Sequence, residues 1–469
     1  MISRISLFLI ISYLAISCTT QNPAEVVITD TNIIDVETGE IAEGKTIEIR
    51  DGKIAEIHNS DNAIDGENII DGSGKYVIPG LWDMHVHFRG GDSLITENKN
   101  LLDLFIANGV TTVRDAGGDI TPAILEWEKQ IENGELLGPQ IFTSGPKLDG
   151  SDPSWAGSIE LTSVDQVSAA FDSLESLKVD YVKLYDSTIP ADVYLAAVKE
   201  AEKRGLKVTG HMPFTVDFNE AVEAGLDATE HMYYVLKGSS SQEEKITEAV
   251  RQGEYGFWAA LTEVIETYDE QTAQKTYEQM AGSGTAVVPT LHIGKVLAQL
   301  NEEDHSGDKY LDYIGEGIKE TYQGRLQAAK SQSQEATQRR RNLRKLFVDM
   351  IPDIHNAGVN ILAGSDSGPY NSFVYPGISL HKELQELETA GLTPLEALQT
   401  SVINGPEFFG VSDEYGKVRP NYVADLLLLN GNPLDDIENT EDIHTVIVEG
   451  EPIINDDEST SLLEKVVKR

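Results

Sequence analysis

A hydrophobic run, Leu81-Trp82-Asp83-Met84-His85-Val86-His87-Phe88, carries two histidines two positions apart. Residues spaced by two on a β-strand project from the same face, so both imidazoles would point to one side of a sheet and could bind one metal ion. On its own, this pattern is equally consistent with ordinary packing. The run therefore predicts a buried strand. Whether the end of this strand binds a metal depends on further ligand residues elsewhere in the sequence.

Seven further strand-like runs follow the first, separated by segments with helical patterns. In the helical segment 190–204, for example, Pro190 suits the start of a helix and Gly205 its end. Eight strands alternating with helices are typical of a parallel sheet closed into a barrel. The predicted fold class is thus α/β, a (β/α)8 TIM-type barrel. Its predicted strands are 81–88, 111–115, 140–144, 181–185, 206–211, 228–231, 286–291 and 360–365.

Shorter β-type runs, bounded by turn residues, lie on both sides of the predicted barrel. They predict one small β-sandwich domain built from 24–79 together with 410–456, and a barrel domain at 80–409. Two long polar connections, near 236–283 and 293–358, are predicted to be helical insertions. They could cover the barrel mouth or form the contact of a homo-oligomer.

Metal-ligand side chains also close other predicted strands. His211 ends the fifth, His231 ends the sixth and Asp366 follows the eighth. The C-terminal strand ends of a β/α barrel form one rim, where catalytic groups lie. A mixture of imidazole and carboxylate suits zinc, and also manganese, iron or nickel. The sequence therefore predicts a divalent metal site made of these three residues with His85 and His87.

Lys183 lies near the end of the fourth predicted strand, in Tyr-Val-Lys-Leu-Tyr. A buried amine is pushed towards neutrality and becomes nucleophilic. Addition of carbon dioxide would turn it into an anionic carbamate that could bridge two cations. An ordinary lysine, paired with an acid or in contact with a substrate carboxylate, is the alternative. The predicted cofactor is therefore one divalent ion, or two if Lys183 is carboxylated.

The order of these residues resembles that of the amidohydrolase superfamily, and in particular its imidazolonepropionase and Xaa-Pro dipeptidase branch. The likeness covers residues 24 to 456. It includes Pro-Gly-Leu-Trp-Asp-Met-His-Val-His at 79–87, Gly-Val-Thr-Thr-Val-Arg-Asp at 109–115 and Glu-Ala-Gly-Leu-Asp at 223–227. It also includes Gly-Lys-Val-Arg-Pro at 416–420, although Asn421 stands where the family usually has glycine. Asparagine tolerates a positive φ better than most residues, so this turn is expected to survive.

The resemblance implies a role for each predicted ligand. His85, His87 and Asp366 would hold an inner metal ion, His211 and His231 an outer one, and carboxylated Lys183 would bridge them. The ions would activate a water that attacks the scissile carbonyl. Asp366 would accept the proton of that water and pass it to the departing nitrogen.

These features predict a metal-dependent hydrolase of an amide C–N bond, in a dipeptide or an N-acyl amino acid. One alternative is a cyclic amidohydrolase of imidazolonepropionase type, which uses one metal at the equivalents of His85, His87, His211 and Asp366, so that His231 would touch substrate. Another is a surface lipoprotein that binds a metal or solute without turnover. Asp366 argues against it, because a closed storage site needs no proton shuttle.

Tyr185, Tyr233 and His292 lie near predicted strand ends and are predicted substrate contacts. Tyrosines at such positions more often pack at the edge of a core, and His292 could equally be a surface histidine. Arg114 is expected to form an internal ion pair in preference to a contact with a substrate carboxylate.

The chain is strongly acidic, with 78 Asp and Glu against 36 Lys and Arg and a formal charge of −42. Such a field repels nucleic-acid phosphates, which excludes DNA and RNA as expected partners and leaves a small-molecule substrate. The basic run 339–345 is expected to be a solvated helix face.

The N-terminus has the pattern of an export signal at 1–17, followed by a short tether at 18–23. Its apolar stretch is too short to span a bilayer. Cys18 is the only cysteine, so no internal disulfide can form. Its position resembles a bacterial lipobox, which predicts an exported protein attached to a membrane through lipidated Cys18. Cleavage after Ser17 followed by plain secretion is the competing interpretation.

Overall fold

The computed structural model describes residues 24–60, 66–454 and 464. It contains a terminal β domain and a β/α barrel, which confirms the predicted fold class. The predicted signal peptide and tether, with Cys18, lie outside the described residues. Of the helices in the described part of the chain, none is both long and apolar enough to cross a bilayer.

The strands, in chain order, are β1 (Ala24–Ile34), β2 (Ile41–Arg50), β3 (Lys53–Asn59), β4 (Gly66–Asp71), β5 (Tyr76–Pro79), β6 (Leu81–Val86), β7 (Val110–Asp115), β8 (Gln140–Thr143), β9 (Leu148–Asp149), β10 (Ile159–Glu160), β11 (Tyr181–Leu184), β12 (Lys207–Gly210), β13 (Ala228–Glu230), β14 (Ala286–Val288), β15 (Leu426–Leu429), β16 (Ile443–Val448) and β17 (Glu451–Ile454).

The helices are α1 (Ile95–Ala107), α2 (Thr121–Glu132), α3 (Val167–Leu177), α4 (Ala191–Arg204), α5 (Phe218–Glu223), α6 (Tyr233–Gly238), α7 (Glu243–Arg251), α8 (Phe257–Glu266), α9 (Glu270–Ser283), α10 (Leu291–Gln299), α11 (Glu316–Lys330), α12 (Gln334–Asn356), α13 (Ile378–Thr389), α14 (Pro394–Val402) and α15 (Asn404–Phe409). The long connections thus contain α6 to α9 and α10 to α12. Helix α4 follows Pro190 directly and ends at Gly205, which has a φ of 71°. Gly205 ends the helix as predicted, whereas Pro190, predicted at the first helical position, caps the helix one residue earlier.

The two ends of the chain share one sheet, in the order β17-β16-β15-β5-β1-β2-β3, with β4 also paired to β1. Strand β5 joins the two ends, because it runs parallel to β1 and antiparallel to β15. Apolar side chains from both ends, such as Val26, Ile47 and Leu428, pack in one core. Asn421 has a φ of 75°, so this asparagine does adopt the turn conformation expected of it.

The barrel strands run parallel in two sheets, β6-β7-β8 and β10-β9-β11-β12-β13-β14. The amide of Asp180, just before β11, donates to Thr143 O of β8 at 2.9 Å and links the sheets. The segment 360–367 occupies the eighth position. Ile361 is bridged to Val287 of β14, and Ser367 to Val86 of β6. This segment closes the barrel without forming a regular strand.

The seventh barrel strand is shorter than the predicted 286–291. Strand β14 ends at Val288, and α10 begins at Leu291. The buried Glu383 side chain of α13 accepts hydrogen bonds from the backbone amides of Leu291 (2.9 Å) and His292 (2.7 Å). Because it satisfies two free amides of the first turn, Glu383 favours the start of a helix at the point where the apolar pattern alone suggests more strand.

Candidate metal centre

The structure brings all six predicted ligand residues to the C-terminal rim of the barrel. His85 lies in β6 and Lys183 in β11, and His87 follows β6 directly. His211 follows β12 directly and His231 follows β13 directly. Asp366 lies in the barrel-closing segment 360–367. The predicted convergence of distant side chains is therefore present in the fold.

The centre of the cluster is Asp366. Its Oδ1 lies 3.1 Å from His87 Nε2 and 3.5 Å from His85 Nε2. One ligand atom each from His85, His231 and Asp366 lie within 4.8 Å of one another, close enough to bind the same cation. The ring centroid of His211 is 5.0 Å from that of His231, so the fourth histidine borders the same group.

The backbone at this rim is held in unusual conformations. His231, Thr290 and Asp366 have φ values of 63°, 51° and 57°, in the left-handed region that residues other than glycine rarely adopt. Such conformations cost about 1 to 3 kcal/mol each and are concentrated at functional sites. Just before His211, Gly210 has a φ of 147°, and a Cβ there would lie 2.1 Å from Leu184 O. A glycine is required for β12 to approach β11 this closely.

Three of the histidines are oriented through their Nδ1 atoms. His85 Nδ1 lies 2.6 Å from a Glu230 carboxylate oxygen, and His211 Nδ1 lies 3.1 Å from Asp186 Oδ1. His231 Nδ1 lies 2.6 Å from Thr290 Oγ1. These contacts leave each Nε2 available to a ligand. Orientation of imidazoles by a hydrogen bond at the other ring nitrogen is the usual arrangement around a metal ion, so this donor set fits a divalent cation.

Burial and local charge set the protonation of these groups. Burial lowers the pKa of His85, and lowers those of His87 and His231 well below the usual value, so the imidazoles are neutral and able to bind a metal. Burial alone would raise the pKa of Asp366. The His87 hydrogen bond and the neighbouring imidazoles outweigh it and hold this pKa well below its usual value. The carboxylate is therefore ionised at neutral pH.

Sequence reasoning gave no role to Glu230, which is fully buried below the cluster. Arg114 Nη2 donates to both of its carboxylate oxygens, at 2.9 and 2.8 Å, and Lys183 Nζ lies 3.1 Å from Oε1. The expected internal ion pair of Arg114 is thus present, with Glu230 as its partner. In its unmodified form Lys183 pairs with an acid, and burial lowers its pKa to about 8.

Asn371 is a second residue that the sequence did not reveal. Its side-chain amide donates to Asp366 Oδ1 at 2.7 Å and also contacts the backbone oxygen of Asp366. Glu230 could have been found from the sequence as a charged residue on the inner face of a predicted strand. No sequence pattern points to Asn371, which lies in a loop. Its contact with Asp366 follows from tertiary structure alone.

A cavity of about 170 Å³ opens onto the cluster beside His211, His231 and Asp366. Tyr233, a predicted substrate contact, lines this cavity. Tyr185 stacks on the His211 ring at a centroid distance of 4.3 Å.

The third predicted substrate contact, His292, lines a second cavity, of about 590 Å³, together with His305 and Tyr310. Burial lowers the pKa of His292 to about 3, so this histidine is neutral. Its role in substrate binding stays a prediction.

An eight-segment barrel with histidines and a carboxylate gathered at its C-terminal rim defines a hydrolytic enzyme of the β/α-barrel class. The sequence pattern of the amidohydrolase family matches residues 76–453. The chain belongs to this family and is a hydrolase that acts on carbon–nitrogen bonds, as the resemblance implied. The family is generally dependent on divalent metals and acts on small molecules.

Individual relatives agree with this assignment. Ochratoxinase from Aspergillus niger is 25% identical over 385 residues, which cover 77% of this chain and 72% of the relative. The solved structure of bottromycin amidohydrolase has a TM-score of 0.72 at 22% identity, covering 94% of this chain and 88% of the other. A Xaa-Pro dipeptidase solved with methionine in its active site has a TM-score of 0.67 at 19% identity, covering 92% and 100%. The two structural likenesses support the fold.

Proposed function

We propose that this protein is a metal-dependent amidohydrolase that cleaves the amide bond of a dipeptide or an N-acyl amino acid. The observation that carries the proposal is the cluster at the barrel rim. Asp366 Oδ1 approaches the Nε2 atoms of His85 and His87, and ligand atoms of His85, His231 and Asp366 lie within 4.8 Å of one another. The names of the relatives support an amide substrate, since they include a Xaa-Pro dipeptidase and a bottromycin amidohydrolase.

The residues that would hold the cation or cations are His85, His87, His211, His231 and Asp366. A bound divalent ion would polarise the scissile carbonyl and lower the pKa of the attacking water. Asp366, ionised and held by Asn371, would accept a proton at its carboxylate and return it to the departing nitrogen. Because the histidines of the cluster would be occupied as metal ligands, we infer that Asp366 is its acid–base group.

A screen with the metal-loaded enzyme tests this function. Dipeptides and N-acyl amino acids are incubated with protein reconstituted with zinc, manganese or nickel, and release of the free amino acid is measured. Release from one of these compounds supports the proposal. Turnover restricted to cyclic amides would favour the imidazolonepropionase-type alternative, and no turnover of either class with a fully loaded protein would favour a binding protein.

Lys183 is proposed to carry a carbamate that bridges two ions. Its buried amine lies 3.1 Å from Glu230 Oε1 but makes no hydrogen bond of good geometry among the described residues. Carboxylation would replace the attraction between Lys183 and Glu230 by two like charges, which the bound cations and Arg114 would offset.

Replacement of Lys183 by Met is therefore expected to lower the metal content from two ions per chain to one or none, as measured by elemental analysis. A carbamate signal in ¹³C spectra recorded with labelled bicarbonate should be lost at the same time. Lys237, a buried lysine paired with Glu243 at 2.9 Å, provides the matched control Lys237→Met. One ion per chain in both the wild type and Lys183→Met would contradict the bridge.

Attachment to a membrane through Cys18 is a further proposal, based on the sequence pattern alone. Cys18→Ser is expected to move the mature protein from the membrane fraction to the soluble exported fraction, because it removes the site of lipidation. Immunoblotting of fractionated cells measures this change. An unchanged distribution would show that the protein is not held by a lipid at this residue.

A further inference from the structure

The cavity beside the metal centre is lined by two guanidinium groups, although the chain is strongly acidic overall. Arg325 of α11 and Arg344 of α12 both reach it from the second long insertion. Of the described residues that line the cavity, Asp366 is the one carboxylate. The cavity therefore concentrates positive charge next to the reacting groups.

The two arginines differ in their partners. Arg344 forms an ion pair with Glu386 of α13, a carboxylate that Lys295 also contacts. Arg325 donates to Asn371 Oδ1 at 2.5 Å, and this acceptor is a neutral amide. Across the described parts of the chain, no carboxylate lies within ion-pair distance of Arg325. Its charge is left without a counterion at the wall of the substrate cavity.

A second cation approaches the same amide. Arg89 Nη2 lies 3.3 Å from Asn371 Oδ1, and Arg89 Nε donates to Pro369 O at 3.0 Å. Arg89 is only 3% exposed, and its guanidinium stacks on Trp155 at 3.8 Å. Two guanidinium groups that share one neutral oxygen repel each other, and an anion bound between them would relieve that repulsion.

The position of Arg325 relative to Asp366 indicates which anion would bind there. Asn371 accepts from Arg325 and donates to Asp366 Oδ1 at 2.7 Å, so one amide group separates the guanidinium from the acid–base carboxylate. In a dipeptide or an N-acyl amino acid, one carbon atom separates the scissile nitrogen from the terminal carboxylate. A substrate with its amide at the metal centre would therefore bring this carboxylate close to Arg325.

We propose that Arg325 is the specificity residue that binds the free carboxylate of the amino acid released by hydrolysis. Apolar residues of the same cavity, Leu291, Leu297 and Phe347, would contact the side chain of that amino acid. The inference rests on the proposed amide hydrolysis and deepens it, because it names the residue that recognises the free carboxylate of such substrates. Peptides with a blocked C-terminus would be excluded.

The test compares N-acetyl-L-phenylalanine with its carboxamide, N-acetyl-L-phenylalaninamide. The wild type is expected to prefer the acid by roughly 10- to 150-fold in kcat/KM, the range for a charge-assisted hydrogen bond. Arg325→Gln should lose this factor on the acid and change little on the amide. Arg325→Lys, which keeps the charge, should recover part of the preference. Arg339→Gln removes the same charge from a residue that stacks on Trp258, and it should retain the wild-type ratio.

An equal loss on both substrates would overturn the proposal, because it would mean that Arg325 acts only by holding Asn371. Calorimetry separates this failure from failure of the proposed function. N-Acetyl-L-phenylalanine is titrated into Asp366→Asn protein and into the double variant that also carries Arg325→Gln. Weaker binding by the double variant supports the role of Arg325 even if the wild type hydrolyses neither compound, and equal binding contradicts it.

Discussion

Asp366→Asn is expected to lower kcat by roughly 10²- to 10⁴-fold, the usual contribution of general acid–base catalysis. The carboxylate is held ionised beside His85 and His87, and its Oδ1 is fixed by Asn371. Asparagine has nearly the same size and keeps one oxygen in place, but it cannot accept and return a proton at neutral pH. Steady-state kinetics on the best amide substrate from the screen measures the change.

Elemental analysis of the same variant separates catalysis from metal binding. Much of the metal should remain, because the histidines of the cluster are unchanged and keep their orienting hydrogen bonds. Asp349→Asn is the matched control, since Asp349 lies on α12 in an exposed ion pair with Lys345 and should leave both quantities unaltered. Unchanged turnover in Asp366→Asn would remove the proposed acid–base role, and loss of all metal would show that Asp366 acts chiefly as a ligand.

The barrel could be predicted because its strands are short apolar runs and its helices carry start and stop signals. The positions of the candidate ligands could be predicted because parallel strands of a barrel all end at one rim, so a histidine or aspartate that closes a strand has to lie there. His211, His231 and Asp366 are far apart in the sequence, but this rule alone places them beside His85.

The conformation of the rim could not be predicted in the same way. The left-handed backbone at Thr290 is imposed by tertiary contacts, since a β-branched residue disfavours this conformation. The helix that begins at Leu291, where strand was expected, depends on Glu383, which lies more than 90 residues further along the chain. Local patterns contain no information about such partners.

The side-chain positions in the long helical insertions could not be predicted from the sequence either. Arg344 belongs to a basic run that was expected to face solvent, but it pairs with Glu386 and lines the cavity beside the candidate metal centre. Arg325 reaches the same cavity from α11. Where the side chains of an inserted helix point depends on how that helix packs on the barrel, and the helical pattern alone does not determine this.

Glu230→Gln is expected to lower the free energy of unfolding by about 3 to 5 kcal/mol, the usual cost of breaking a buried ion pair. Glu230 is fully buried and contacts Arg114, Lys183, the Nδ1 of His85 and the hydroxyl of Thr209. Burial alone would raise the pKa of Glu230, but Arg114, Lys183 and His85 outweigh it and hold this pKa well below its usual value. In the metal-free protein, where Lys183 is unmodified, the neutral amide would leave two buried cations, Arg114 and Lys183, without a counterion.

The same substitution should weaken metal binding by about 10- to 100-fold, because Glu230 orients His85. Urea unfolding at neutral pH measures the stability, and competition with a chelator measures the metal affinity. Glu223→Gln, an exposed change on α5, should stay within about 0.5 kcal/mol of the wild type. Adding Lys183→Met to Glu230→Gln removes one of the two buried cations that lack a counterion, and it should restore part of the lost stability. A Glu230→Gln protein as stable as the wild type and with the same metal affinity would show that the charge of Glu230 is not what supports the metal centre.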